Sequence, residues 1–222
     1  MAPIELFVAP LCPFAMRARL VLAEKALPVS EIELDPRRMP ARFLKLSPNG
    51  KVPLLLHNEQ PVWEAAVIGE YLEEVFPEPP LLPKSPHARA KARAWVNFAD
   101  TRLYAKTETL LHSPDPGVHV RIGALLADEL RVLEARALAD PARDGPYWLG
   151  AEFTLADLAF YPWFEQLSVL ERFRGFRAPA ECRTLFAWRD AVAAREAIRA
   201  IARPPEFYLE GYGRLAAALA AA

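Results

Sequence analysis

Eight residues divide this chain. Four of the residues in Phe76-Pro77-Glu78-Pro79-Pro80-Leu81-Leu82-Pro83 are proline. No helix or central strand runs through such a segment, because proline lacks the backbone N–H and fixes φ. Before it, short apolar runs alternate with helical stretches; beyond it, all apolar spacing is helical. The expected fold is therefore an α/β N-terminal domain followed by an all-α C-terminal domain. The sequence assigns residues 1–76 to the first, 77–85 to a linker and 86–222 to the second. The linker is short and apolar, so Leu81 and Leu82 are expected to dock.

In the first domain, Ile4-Glu5-Leu6-Phe7-Val8 reads as a buried strand. Ala9-Pro10-Leu11 breaks it, and Met16 to Lys25 is rich in strong helix formers. Ser30 to Leu34 alternates as a second strand, which makes a βαβ unit with parallel strands and a right-handed crossover. Asp35-Pro36-Arg37-Arg38 is a basic loop, Ala41 to Leu46 a short helix, and Ser47-Pro48-Asn49-Gly50 a turn. Lys51 to Leu56 is a strand with Pro53 near its head, where proline is tolerated and can be cis. His57 to Gln60 turns the chain into Pro61-Val62-Trp63. Glu64 opens a helix over Ala65 to Val75, with Val67, Ile68, Tyr71 and Leu72 inward.

In the second domain, helices are expected from Pro86 to about Leu111 and from Val118 to Leu138. The second has Ile122, Leu125, Leu126, Leu130 and Leu133 at helical spacing. Thr154 and Asp157 form an acidic capping box, with Phe153 and Leu158 as its hydrophobic staple. That helix is expected to reach about Glu171, kinked or shortened at Pro162. Further helices follow at Leu185 to Ala194, Glu196 to Ile201 and Phe207 to Ala222, the last broken near Gly211 and Gly213.

The residue with most chemical promise is Cys12, at the handover from strand to helix. Pro13 suits the first helical position. A thiol there meets unpaired N–H groups and the positive end of the helix dipole, which favour thiolate and lower its pKa. Cys12 and Cys182 make no disulfide framework, and they fit a reducing compartment. Cys182 is expected to be structural. With 27 basic and 28 acidic residues the chain carries no nucleic-acid or anionic-membrane footprint. No apolar stretch reaches the length of a membrane span, and no secretory signal is evident, so a cytoplasmic protein is expected. The spacing of His57, His87, His112 and His119 fits no zinc motif, so no metal is expected.

The order of elements resembles the glutathione transferase fold, a thioredoxin-like domain followed by a helical one. Cys12-Pro13-Phe14-Ala15 resembles the active-site start of the omega class, which uses cysteine where most classes use tyrosine or serine. Arg19-Leu20-Val21-Leu22, Gly50-Lys51-Val52-Pro53, Glu70-Tyr71-Leu72-Glu73-Glu74, Leu81-Leu82-Pro83 and Tyr161-Pro162-Trp163-Phe164-Glu165 extend the likeness. Trp63-Glu64-Ala65 stands where the family has Glu-Ser, so one hydroxyl is missing.

The resemblance implies a glutathione-dependent thiol transferase or reductase with Cys12 as nucleophile. Mixed-disulfide exchange, deglutathionylation or dehydroascorbate reduction would be its reactions, and conjugation of aryl halides would be poor. Glutathione would be a cosubstrate held by Phe14, Arg38, Lys51, Val52, Pro53, Glu64 and Ala65. Arg38 stands in for a lysine that the omega class places nearer Met39. A small electrophilic, disulfide or oxidised second substrate would meet Leu11, Tyr104, Trp163 and Tyr208. A homodimer is expected, with no nucleic-acid or membrane partner. The same residues leave open a non-catalytic binding or regulatory protein, kept in view by Ala65.

Overall fold

The computed structural model describes residues 3–139 and 143–220, with side chains as far as Arg214 in the last helix. The expected Ala221 and Ala222 end of that helix lies outside the described residues. The chain divides into two compact units between Leu81 and Leu82.

The first unit holds β1 (Ile4–Val8), α1 (Pro13–Glu24), β2 (Ser30–Glu33), α2 (Ala41–Leu46), β3 (Leu54–His57), β4 (Gln60–Trp63) and α3 (Ala65–Val75). The strand order is β2-β1-β3-β4. β1 runs parallel to β2, as the βαβ reading requires, and β3 is antiparallel to both β1 and β4. Side chains alternate across a strand. Phe7, Leu54 and Leu56 accordingly share one face, where they pack with Leu34 and with Phe43 of α2. α1 and α3 pack on each other.

A buried ion pair joins these two helices. Lys25, which follows α1, places its ammonium 2.7 Å from Glu73 of α3. The same Nζ donates to the carbonyls of Phe76 at 2.7 Å and Pro79 at 2.9 Å, so all its protons have acceptors. Glu73 in turn accepts from Leu81 N–H. The proline-rich segment is therefore fastened through its backbone. Val52–Pro53 and Glu78–Pro79 are cis.

The second unit is helical throughout: α4 (Pro86–Phe98), α5 (Ala105–His112), α6 (Pro116–Leu133), α7 (Leu155–Glu165), α8 (Leu167–Arg174), α9 (Arg183–Ala193), α10 (Glu196–Ile201) and α11 (Pro205–Ala220). Looser π-helical turns, Ala99–Tyr104 and Glu134–Leu138, follow α4 and α6. The capping box at Thr154 forms as expected. Its Asp157 is completely buried and does more than cap. Asp157 Oδ1 accepts from Trp148 N–H and Trp188 Nε1–H, both at 2.8 Å, while Oδ2 accepts from Thr154 N–H at 2.8 Å. Burial pushes its carboxyl pKa up, and these donors pull the other way.

Several expectations need correction. The helix containing Pro162 is neither ended nor shortened there; the break falls at Gln166, between α7 and α8. α9 begins two residues early because the Glu134 carboxylate accepts from Thr184 N–H and Leu185 N–H. α11 runs unbroken through Gly211 and Gly213; Gly211 is buried, and Gly213 faces the Phe173 ring of α8. Val67 and Leu125 are 52% and 42% exposed rather than inward. Each sits one position, or about 100° of helix rotation, from the buried stripe made by Ile68 and Leu72 or by Leu126, Leu130 and Leu133.

Lys25→Met strands a buried carboxylate and should lower unfolding free energy by about 3–5 kcal/mol in urea denaturation, with much of the loss restored by adding Glu73→Leu. Asp157→Ala leaves three buried N–H donors unpartnered and should lower it by about 3 kcal/mol or more in the same measurement.

Candidate functional site

Cys12 caps α1. Its backbone is extended, Pro13 occupies the first helical position, and its sulfur accepts from Ala15 N–H at 3.4 Å. The same sulfur lies 3.8 Å from the Val52 carbonyl oxygen, to which the S–H donates. Cys12 and Val52, 40 residues apart, are thereby brought together. Val52 precedes cis-Pro53 and stands outside the β3 ladder, which starts at Leu54.

The electrostatics reverse one expectation. Burial pushes the Cys12 thiol above its ordinary pKa of 9.0. The N–H groups of Ala15 and Phe14 and the charges of Arg19 and Arg17 pull downward, but desolvation outweighs them. The helix start is correctly placed, yet the resting group is a thiol rather than a thiolate. A half-buried sulfur loses the water that would solvate its anion, and two hydrogen bonds do not replace it.

Glu64 is the N-cap of α3, with φ of 67°. This left-handed conformation is strained for a residue with a β-carbon, by about 1–3 kcal/mol. Its carboxylate does not cap the helix. Instead Glu64 Oε1 accepts from Asn49 Nδ2 at 2.8 Å. The N–H groups that open α3 are thus left without a side-chain cap, and such a helix start suits an anion. Ala65, at the first helical position, is buried and offers only its backbone.

Asn49 is the residue that sequence reasoning missed. The turn at 47–50 was legible, but not what its amide does. Asn49 Oδ1 accepts from Lys51 N–H and from Ser47 Oγ–H, both at 3.0 Å. An Asn two residues before a bonded N–H is a recognisable Asx turn; its tie to Glu64, fifteen residues on, has no local signal.

The remaining expected residues scatter. The side chain of Lys51 is exposed. Arg38 is exposed in the turn that its N–H closes on Asp35. Arg37, not Arg38, is paired with Asp35, whose pKa it lowers. Phe14 is half-buried, with the Arg17 guanidinium 5.4 Å from its ring centroid, and Leu11 is half-buried in the preceding turn. Tyr104, Trp163 and Tyr208 belong to the second unit and are 4%, 2% and 1% exposed. Trp163 donates to Thr107 Oγ1 at 2.7 Å, and Tyr208 donates to Glu165 at 2.5 Å. Those two rings are core side chains, and the expectation that they face a second substrate gains nothing from their placement. Among the described residues, no group of three or more His, Cys, Asp or Glu side chains could hold a metal ion.

Comparison with known proteins fits this architecture. The N-terminal domain of glutathione S-transferases matches residues 6–80, and their C-terminal domain matches residues 121–191. Glutathione S-transferase U25 of Arabidopsis thaliana is 34% identical over 190 residues, covering 83% of this chain and 82% of its own. A rice glutathione transferase solved in complex with glutathione superposes with a TM-score of 0.85 at 29% identity, over 96% of each chain. Glutathione transferase Omega 3C from Trametes versicolor gives 0.78 at 28% identity, covering 89% of this chain and 88% of that one. A Tau class enzyme from mango shares the fold at 0.85 and 24% identity. The omega-like start is therefore one resemblance among several, and the relatives do not assign a class. With both domains matched and a relative of this identity spanning most of its length, the chain belongs to the glutathione S-transferase family.

Proposed function

We propose that this protein is a glutathione-dependent thiol transferase in which Cys12 forms a mixed disulfide with glutathione. The observation that carries the reading is the Cys12 sulfur at the start of α1, beside the Val52 carbonyl. A peptide thiol paired with the backbone of Val52, as an added strand pairs, would bring its own sulfur to that place. The α-carboxylate of its γ-glutamyl group would sit on the uncapped start of α3 at Ala65, and its α-ammonium on Glu64. Lys51 or Arg38 would pair with the glycyl carboxylate. Pro53 and Phe14 would wall the sulfur, and the second substrate would approach past Leu11.

The chemistry is thiol–disulfide exchange. Cys12 loses its proton, and its sulfur attacks the glutathione sulfur of a mixed disulfide. The new S–S bond forms as the old one breaks, and the leaving thiolate takes up a proton. A second glutathione thiolate then attacks the glutathione sulfur on Cys12, which releases oxidised glutathione and returns Cys12 as thiol. Ala65 lacks the hydroxyl expected there. One hydrogen bond to a charged group is worth about 1.5–3 kcal/mol, so glutathione binding is weakened rather than lost.

A second reading is conjugation, favoured by the raised Cys12 pKa and by the similarity to plant transferases such as U25. There a protonated Cys12 would donate its S–H to the thiolate of bound glutathione and form no covalent bond.

Two measurements test these readings. Incubation with oxidised glutathione should add one glutathionyl group to Cys12 by mass spectrometry, and Cys12→Ser should abolish both the adduct and thiol-transferase turnover. If turnover survives in Cys12→Ser, the conjugation reading replaces this one. Iodoacetamide labelling of Cys12 should climb with pH through a midpoint above 9.0, because burial holds the thiol protonated below it. Cys182, fully buried, gives no competing signal at native conditions. A midpoint below 9.0 would show that the N–H groups and arginines outweigh desolvation.

A further inference from the structure

We propose that Asn49 is a positioning residue that holds the Glu64 carboxylate as the acceptor for the α-ammonium of the bound γ-glutamyl peptide. This rests on the glutathione reading above and names a part of the site that the reading does not require.

The side-chain amide of Asn49 uses both its ends. Its oxygen accepts from Lys51 N–H and Ser47 Oγ–H, which fixes the amide in the turn before Val52. Ser47 Oγ also lies 3.2 Å from Lys51 O, and Ser47 itself is buried, so the anchor of this arrangement is firm. With the oxygen committed, the NH2 group is left to donate to Glu64 Oε1 at 2.8 Å. An Asx turn needs only the oxygen. The bond to Glu64 serves no turn, no helix cap and no buried group, because both Asn49 and Glu64 are exposed.

What the bond does is set the direction of a charge. Glu64 sits at a left-handed φ and leaves the start of α3 uncapped. Held through Oε1, it keeps Oε2 without a bond among the described residues. A carboxylate with one oxygen fixed and one available is an acceptor of defined position for an ammonium group, placed beside the helix start that suits the carboxylate of the same amino acid. The selectivity of the site for a free α-amino acid end thus depends on a residue that need not touch the ligand. Ordering this exposed side chain beforehand removes an entropic penalty that binding would otherwise carry.

The test uses the full chain and two ligands, glutathione and glutathione acetylated on its α-amino group. Isothermal calorimetry of Asn49→Ser, whose hydroxyl oxygen can still close the turn on Lys51 N–H but which lacks the NH2 donor to Glu64, should show glutathione binding weakened about tenfold, the scale of one lost hydrogen bond to a charged group. Binding of the acetylated ligand, which brings no ammonium to Glu64, should change less than about twofold. In turnover assays the loss should appear in KM for glutathione more than in kcat, and the thermal midpoint should stay close to that of the wild type because the turn keeps an oxygen acceptor for Lys51 N–H. Equal weakening for both ligands, or none for glutathione, overturns the proposal while leaving the glutathione reading intact. No heat from the wild type with glutathione overturns that reading, and this inference with it.

Discussion

The first unit depends on one buried ion pair. Lys25 and Glu73 are withdrawn from water, and their attraction offsets the loss of hydration only because every proton of the ammonium has an acceptor. The pair joins α1 to α3, and those two helices carry the candidate site at their starts. Cys12 caps one and Glu64 the other. A shift of either helix along its axis would break the pair, so the distance between sulfur and carboxylate is fixed from the far side of the domain. The same lysine holds two carbonyls of the proline-rich segment, which ties the end of the domain to the helices that shape its site.

In the second unit a comparable centre is Asp157. It begins as a helix cap, a local device, and becomes the acceptor for two tryptophan-bearing segments, one nine residues before it and one thirty-one after. Trp148 stacks on Phe160 with ring centroids 3.9 Å apart and meets Trp188 edge-on at 4.8 Å. One carboxylate thus orients the Trp188 ring and fixes the backbone that carries Trp148. Polar direction is added to a core whose apolar contacts alone are non-directional.

Much of this was legible because the deciding signals are local. A proline after a cysteine, a threonine three residues before an aspartate and an alternating run of five residues each act within one turn or strand. The βαβ unit, the cap at Thr154 and the place of Cys12 follow from them. The failures share a cause. α9 starts early because a glutamate fifty residues away caps it, and the helix after Thr154 breaks at Gln166, where no proline or glycine stands. The protonation of Cys12 was misjudged because its helix start is visible in sequence while the walls that dry it are not. Asn49 announced a turn and concealed a tie to Glu64. Charges, caps and burial assembled from distant segments are set by tertiary packing, which a linear pattern does not encode.

The drying of Cys12 has a consequence for survival of the protein. Peroxides oxidise thiolates far faster than thiols, and the ladder from sulfenic to irreversible sulfinic acid begins with the anion. A sulfur kept as S–H and hydrogen-bonded to the Val52 carbonyl presents little of that anion at neutral pH. The fold therefore shelters this sulfur from stray oxidants while leaving it at the turn between β1 and α1, trading readiness to ionise for chemical endurance.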